Sequence, residues 1–375
     1  MQVAYFDNAA STKVDPEVLD AMMPFLTECY ANPSALHSMA FRAKAAIEEA
    51  RRTLAELIGA DDPAEIIFTS GATEANDTVL NTFGGRMLVS DIEHPSVRNP
   101  ALESGRADLI PVDQQGTLDF EAYERLLESP TELVSVMSVN NEIGAVQDID
   151  KIGEMAHRAG ALFHSDITQG VGKHKLEVQN RPTDYATLSG HKFHAPKGIG
   201  MLWVRNGCPL KRFMVGGLQE GGRRSGTLNV AGIVGLGAAA KIAMRQGAVE
   251  IEKMARQRQR IIDAIVATVP DVRVNGQPDG APHIINLSLY RTEGEAVIIN
   301  LDSHGICCTA GAACASGSGL GSHVLNAIGL PQEWLKGSVR ISLSRLTTDA
   351  EVDYLIQEFP RAVSEVRGLA GYAAG

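Results

Sequence analysis

Polar side chains follow five short apolar runs of this sequence, each at the point where the run ends. The pairs are IIFTS (66–70) with Thr73, MLVS (87–90) with His94, LVSVMSV (133–139) with Asn141, ALFHS (161–165) with Asp166, and YATLS (185–189) with Lys192. A lysine that leaves an apolar strand has a lowered pKa when water is excluded, and such lysines form Schiff bases. A carboxylate can pair with a protonated ring nitrogen.

The first of these segments adds an anion site. Ser70-Gly71-Ala72-Thr73 precedes a helical pattern, and a helix start that follows glycine offers free N–H groups to a phosphate. A phosphate site, a carboxylate and an aldehyde-binding lysine are the groups that pyridoxal 5'-phosphate (PLP) requires. Each signal alone has a plainer interpretation: an ordinary helix cap, a structural histidine or a surface lysine. Their combination favours PLP.

A second reactive element is the stretch GICCTAGAACASGSGLGSH (305–323), which holds three of the five cysteines. Cys314 lies among Gly, Ala and Ser, which permit many backbone conformations and anchor little, so this thiol can move. A thiolate is a strong nucleophile. The alternative is an incidental thiol on a surface turn. Cys29, Cys208, Cys307 and Cys308 are interpreted as small structural residues.

The elements that position these residues form an alternating pattern. The apolar runs are short and apolar on both faces, and helical segments separate several of them, which predicts an α/β fold with a large, doubly wound, mostly parallel sheet. Chemistry in such folds gathers at the carboxyl ends of the strands. We predict a large domain over 15–250 and a smaller α+β domain built from 1–14 and 251–375, which carries the cysteine stretch.

Composition limits the function classes. The 375-residue chain has a formal charge of −11, which argues against direct nucleic-acid binding. No run approaches the ~20 apolar residues of a membrane span, and the N-terminus lacks the pattern of a signal peptide. Five cysteines without a Cys-x-x-Cys pair indicate neither a disulfide framework nor a zinc site. We therefore expect a cytoplasmic protein with reduced thiols.

Ten segments together resemble a known family. They are FDNAAST, NPSALHS, FTSGATEAN, EHPSV, VNNEIGAVQDI, HSDITQGVGK, SGHKFHAPKGIG, RRSGTLN, GAACASGS and VRISLSR. The sequence resembles, over essentially its whole length, the cysteine desulfurases of the NifS/IscS-like group, which are class V aminotransferases of PLP fold type I. The resemblance implies conversion of L-cysteine to L-alanine with transfer of the sulfur to a cysteine of the enzyme as a persulfide.

The resemblance also implies roles for the cofactor-binding residues. Lys192 would bind PLP covalently, Asp166 would bind the pyridine nitrogen and Gln169 the ring hydroxyl oxygen. His94 would stack on the ring and shuttle protons. The phosphate would be held by Ala72, Thr73, Ser189 and His191, together with Thr227 of a partner subunit, which implies a homodimer.

The remaining implied roles concern substrate and sulfur. Asn141 would lie over the ring hydroxyl and the substrate, Arg340 would bind the substrate carboxylate, and Cys314 would accept the sulfur. Cys314 would then deliver it to an acceptor protein such as an Fe–S scaffold, and would serve as a transient ligand of a transferred cluster. No resident metal is expected.

Two positions depart from the family pattern, and three alternatives stay open. Leu218 replaces a glycine and Gly221 an arginine, which affects the expected dimer edge.

A selenocysteine lyase or another class V aminotransferase would share the PLP site, and an inactive scaffold of the same fold would keep its shape. The intact Lys192, Asp166, His94 and Arg340 argue against the inactive scaffold.

Overall fold

The computed structural model describes residues 3–174, 177–310 and 321–369. The predicted nucleophile Cys314 therefore lies outside the described residues. The strands of the described part are β1 (Ala4–Tyr5), β2 (Ile66–Thr69), β3 (Met87–Ser90), β4 (Ala107–Ile110), β5 (Leu133–Ser135), β6 (Leu162–Asp166), β7 (Tyr185–Ser189), β8 (Gly200–Val204), β9 (Val272–Asn275), β10 (Ile284–Leu289), β11 (Ile306–Cys307) and β12 (Ser338–Ser342).

Seven strands form the large sheet, in the order β2-β8-β7-β6-β5-β3-β4. All neighbours pair in parallel except that β8 runs antiparallel to both β2 and β7. The segment from β7 to β8 is too short for a helical crossover, so β8 returns in the opposite direction. The predicted mostly parallel α/β sheet is confirmed. The edge strand β4 was not predicted, because its sequence ADLI contains a half-exposed aspartate and lacks a continuous apolar run.

The helices of the described part cover both faces of this sheet. They are α1 (Pro16–Thr27), α2 (Ser38–Ile58), α3 (Ala72–Leu80), α4 (Pro95–Glu103), α5 (Phe120–Leu127), α6 (Ile149–Arg158), α7 (Val230–Thr268), α8 (Gly294–Ser303), α9 (His323–Ala327), α10 (Gln332–Leu335) and α11 (Asp349–Leu369). None of these helices combines the length and the apolar character needed to cross a membrane.

Local sequence explains where several helices begin and end. The Asp15 side chain accepts a hydrogen bond from the Glu17 N–H at the start of α1, and Pro16 occupies its first position. Gly59 ends α2 with a φ of 65°, which glycine adopts without strain. Helices α1, α2 and α7 pack one face of the sheet through a shared apolar core that includes Ile47 and Leu236. Burial on both faces explains why the central strands are continuously apolar.

A second, smaller layer lies beyond the long helix α7. Strands β12, β10 and β9 form an antiparallel sheet in that order, and β1 pairs in parallel with β11. Asp7 bridges to Ser342 on β12, so the N-terminal segment packs on this layer. The helix α7 runs across residue 250. The division into 15–250 against 1–14 and 251–375 stays a prediction.

Candidate active site

A cavity of about 930 Å³ opens at the carboxyl ends of the parallel strands. The sheet geometry explains its position, because strand ends that share a direction meet at the same edge. Ten of the twelve predicted site residues line it: Ala72, Thr73, His94, Asn141, Asp166, Gln169, Ser189, His191, Lys192 and Arg340. The structure thus brings together residues that are up to 268 positions apart in the chain.

One end of the cavity is shaped for an anion. Helix α3 begins after Gly71, and within the described residues no side chain caps its first N–H groups. Gly200 lies directly behind this turn, where an added Cβ would come within 2.7 Å of the Gly71 Cα. The absence of a side chain at 200 therefore lets the helix start approach the sheet. Thr73 and Ser189 add hydroxyl groups to the same wall, as a phosphate site requires.

Asp166 occupies the floor of the cavity at the end of β6. One carboxylate oxygen accepts a hydrogen bond from the Thr168 backbone N–H at 2.9 Å, and the other accepts from Asn76 Nδ2 at 3.0 Å. Glu93 lies nearby with no exposed surface, and burial, together with the charge of Asp166, raises its pKa well above the ordinary value. Asp166 is thus the carboxylate that lines the cavity, with Glu93 buried behind it.

Lys192 projects into the cavity from the turn after β7. Its ammonium group donates to the backbone oxygens of Ala9 and Ala10, at 2.8 Å each. Beneath it, Lys173 donates to the backbone oxygen of Lys192 at 2.9 Å. Burial, followed by the charge of Lys192, lowers the pKa of Lys173 to about 7. Burial, again followed by Lys192, lowers the pKa of His191 to about 4.

Arg340 reaches the cavity from β12 of the smaller sheet. It donates from one terminal nitrogen to the backbone oxygen of Asn141 at 2.8 Å and from the other to the Asp7 carboxylate at 2.9 Å. Its Nε is buried and has no hydrogen-bond partner in the described part of the chain. A guanidinium that lines the cavity suits a carboxylate ligand.

Other residues singled out from the sequence lie elsewhere. Thr227 is exposed and does not line this cavity within its own chain. Burial raises the pKa of Cys308 to about 12, and burial and Asp302 raise the pKa of Cys307, so both are thiols rather than thiolates at neutral pH.

Sequence reasoning missed a set of residues that lines or supports the cavity. Glu142, Lys197 and His323 line it, and Ser322 donates a hydrogen bond of 2.5 Å to the Glu142 carboxylate. The His323 ring nitrogen Nε2 lies 2.9 Å from the Glu93 backbone oxygen. Glu142 directly follows Asn141 after a strand, which is a signal that sequence alone offers. The others face the cavity through tertiary packing.

Comparison with known proteins decides the family. The family described as Aminotransferase class-V matches residues 4–355. The cysteine desulfurase of Trichormus azollae is 41% identical over 383 residues, which cover 99% of this chain and 96% of that protein. The chain belongs to the cysteine desulfurases of the class-V aminotransferase family. The resemblance predicted from sequence is confirmed.

Two solved structures extend this result to the fold. A NifS-like protein superimposes with a TM-score of 0.91 at 32% identity, covering 97% of this chain and all of that one. The protein SspA in complex with cysteine gives a TM-score of 0.81 at 32% identity, covering 92% of this chain and 99% of that one. This class-V chain therefore has the fold of a PLP fold type I enzyme, as predicted.

The cavity of this cysteine desulfurase fits the family's cofactor. PLP presents a phosphate, a ring nitrogen that is protonated in the active form, and an aldehyde. The uncapped start of α3, the anchored carboxylate of Asp166 and the ammonium of Lys192 match these groups in kind. Among the described residues, no cluster of three His, Cys, Asp or Glu side chains forms a metal site.

Proposed function

We propose that this protein binds PLP in the cavity and converts L-cysteine to L-alanine while Cys314 takes up the sulfur. The observation that carries the proposal is the convergence of Lys192, Asp166, His94 and Arg340 on one cavity. The chain's full-length relatives named cysteine desulfurase, and the neighbour solved with cysteine, support it.

Lys192 would bind the cofactor covalently, with Asp166 on its ring nitrogen and Gln169 on its ring hydroxyl. Ala72, Thr73, Ser189 and His191 would hold its phosphate, while His94 lies against the ring. When bound, PLP supplies an electron sink for the carbon that bears the substrate amine. Lys192, once released, would take the proton from that carbon, since its amine lines the cavity.

Substrate binding depends on Arg340 in this proposal. Its guanidinium forms a charge-assisted pair with the carboxylate of L-cysteine, which replaces or joins the pair with Asp7. Asn141 lies beside Arg340 and closes the same wall of the cavity. These contacts orient the substrate sulfur toward the space from which a thiol must approach.

Sulfur transfer is carried out by Cys314. Its thiolate forms an S–S bond with the substrate sulfur as the C–S bond breaks, and the electron pair of the C–S bond stays on the carbon, which gains a proton to give alanine. The enzyme then carries a persulfide. A long Gly- and Ser-rich segment suits delivery to a separate acceptor, and we propose an Fe–S scaffold, with Cys314 as a transient ligand of the cluster it receives.

We also propose a homodimer. Four apolar side chains of the segment before RRSGT are exposed, from 40% for Met214 to 82% for Leu218: Phe213, Met214, Val215 and Leu218. A contiguous exposed apolar patch is typical of a protein interface. Thr227 follows this segment and would contact the phosphate in the partner's cavity. Gly221 has a φ of 65°, so glycine suits this position, where the family pattern has arginine.

An assay of alanine and sulfide from L-cysteine tests this function. Lys192→Ala should lower both products by about 10³-fold, because the loss of a positioned acid–base group costs 10²–10⁴-fold. Cys314→Ala should abolish sulfide release. Lys197→Ala is the control for the first variant, since Lys197 lines the cavity but is exposed.

Full sulfide release by Cys314→Ala would contradict the desulfurase proposal and favour a selenocysteine lyase or another class V enzyme. Unchanged turnover by Lys192→Ala would contradict the PLP site itself.

A further inference from the structure

A chain of buried hydrogen bonds runs beneath the cavity and ends at His94. The Thr187 hydroxyl donates to Asn76 Oδ1 at 2.5 Å, and Asn76 Nδ2 donates to Asp166 Oδ2 and to Ser96 Oγ, at 3.0 Å each. Thr187 and Asn76 have no exposed surface. Because a carboxylate only accepts hydrogen bonds, Asp166 fixes which end of the Asn76 amide faces it.

Every donor in the last part of this chain is determined. The Ser96 backbone N–H donates to His94 Nδ1 at 3.1 Å, so Nδ1 must be an acceptor. Ser96 Oγ lies 2.8 Å from the same Nδ1. Because Nδ1 accepts and carries no hydrogen, the Ser96 hydroxyl must donate to it, while Oγ accepts from Asn76 through a lone pair. A neutral imidazole whose Nδ1 accepts carries its proton on Nε2.

We propose that Ser96 and Asn76 are positioning residues that hold His94 as the neutral Nε2–H tautomer, so that His94 presents a hydrogen-bond donor to the cavity. Ser96 supplies two donors to one ring nitrogen. Asn76 orients the Ser96 hydroxyl, and Asp166 orients Asn76. The floor carboxylate and the histidine are thereby linked through two side chains, although neither touches the other through a direct hydrogen bond in the described part of the chain.

The surrounding charges agree with a neutral ring. Burial lowers the pKa of His94, the charge of Asp166 opposes this, and Lys192 and His323 lower it further. His191 also faces the ring and is itself neutral, with a pKa near 4. Protonation of Nδ1 would in addition place a proton against the Ser96 N–H, which the geometry disfavours.

The tautomer of His94 is assigned from hydrogen bonds alone, whereas its role toward substrate depends on the proposed function. In that function, His94 donates a hydrogen bond from Nε2 to the bound substrate. It does not take the proton of an incoming thiol at Nε2, because that nitrogen is already protonated. In the resting enzyme, His94 would therefore donate a hydrogen bond and not accept a proton at Nε2. This role is narrower than the proton shuttling that the resemblance implies.

NMR of the full-length protein as purified, with 15N-labelled histidine rings, tests this proposal without any turnover. The His94 signals are identified by their loss in His94→Gln. We expect a protonated Nε2 and an unprotonated Nδ1 at neutral pH. In Ser96→Ala, one donor to the neutral form is lost, and the pKa of His94 should rise by about half a unit to one unit.

Three further variants complete the test. Ser96→Thr keeps a hydroxyl and should restore the pKa of His94. Ser104→Ala removes a hydroxyl at the other end of the same helix, α4, which bonds Ala101 and Arg106, and should leave that pKa unchanged. The substitution Ser96→Ala should change the pKa of His94 less when it is made in the Asn76→Ala variant than when it is made in the wild type. A proton on Nδ1 in the wild type, or equal pKa values in Ser96→Ala and Ser104→Ala, would overturn the proposal. Full additivity of the two substitutions would overturn the role of Asn76.

Discussion

The two sides of the cavity are built differently. The floor, formed by Asp166, His94 and Lys192 with Asn76 and Ser96 behind them, follows strands of the large sheet, and Asp166 and His94 are held by hydrogen bonds from neighbours behind the cavity. The opposite wall is formed around Arg340 of the smaller sheet, which is held by one backbone oxygen and one carboxylate. A substrate carboxylate can replace the second contact, but nothing that enters the cavity can replace the bonds beneath the floor.

This difference suits the two tasks of the proposed enzyme. A cofactor stays through many reaction cycles, so the groups that hold it are best fixed before it binds. A substrate must enter and leave each time, so its binding group needs a partner that can be exchanged. Asp7 serves Arg340 in this way, since it neutralises the guanidinium when no substrate is present.

Apart from the loss of turnover in Lys192→Ala, the largest effect is expected at the wall. Arg340→Met removes a charge-assisted contact to the substrate carboxylate, and KM for L-cysteine should rise by about 10- to 100-fold. Steady-state kinetics with cofactor-saturated enzyme measures this change, and the cofactor absorption should remain that of the wild type.

The matched substitution is Asp7→Asn, which releases Arg340 from its resident partner. KM should then stay the same or fall. A large loss of bound cofactor in Arg340→Met, with KM unchanged, would contradict the claim that the wall binds substrate and the floor binds cofactor.

The smaller expected effect concerns the floor. Lys173 has a pKa of about 7 in the folded protein, against the ordinary value of 10.5 when unfolded. Between these values the unfolded chain binds one proton more, so stability rises with pH. The free energy of unfolding should therefore rise between pH 7 and pH 8 by about 1 kcal/mol more in the wild type than in Lys173→Met.

Urea unfolding at both pH values measures this difference. The exposed Lys197→Met is the control and should follow the wild type. If the free energy of unfolding changed with pH in the same way in Lys173→Met and the wild type, Lys173 would keep its proton in the folded protein. Water would then reach this lysine, contrary to what its packing indicates.

Sequence alone predicted the residues that line the cavity better than the residues that support them from behind. The apolar runs marked the strands, and the residues after them lie together because parallel strands end at one edge. Asn76, Ser96 and Lys173 were not identified, since each acts through a side chain bonded to a distant segment. The reversed direction of β8 was also missed, because a buried antiparallel strand has the same apolar pattern as a buried parallel one.

The central claim is that sulfur leaves L-cysteine and arrives on Cys314. Trypsin would release residues 292–336 as one peptide that holds Cys307, Cys308 and Cys314, so fragmentation mass spectrometry after incubation with L-cysteine and alkylation can place the added sulfur. We predict one extra sulfur atom on Cys314 in the wild type and none in Lys192→Ala. Extra sulfur on Cys307 or Cys308 with none on Cys314, or no persulfide while alanine accumulates, would contradict the account.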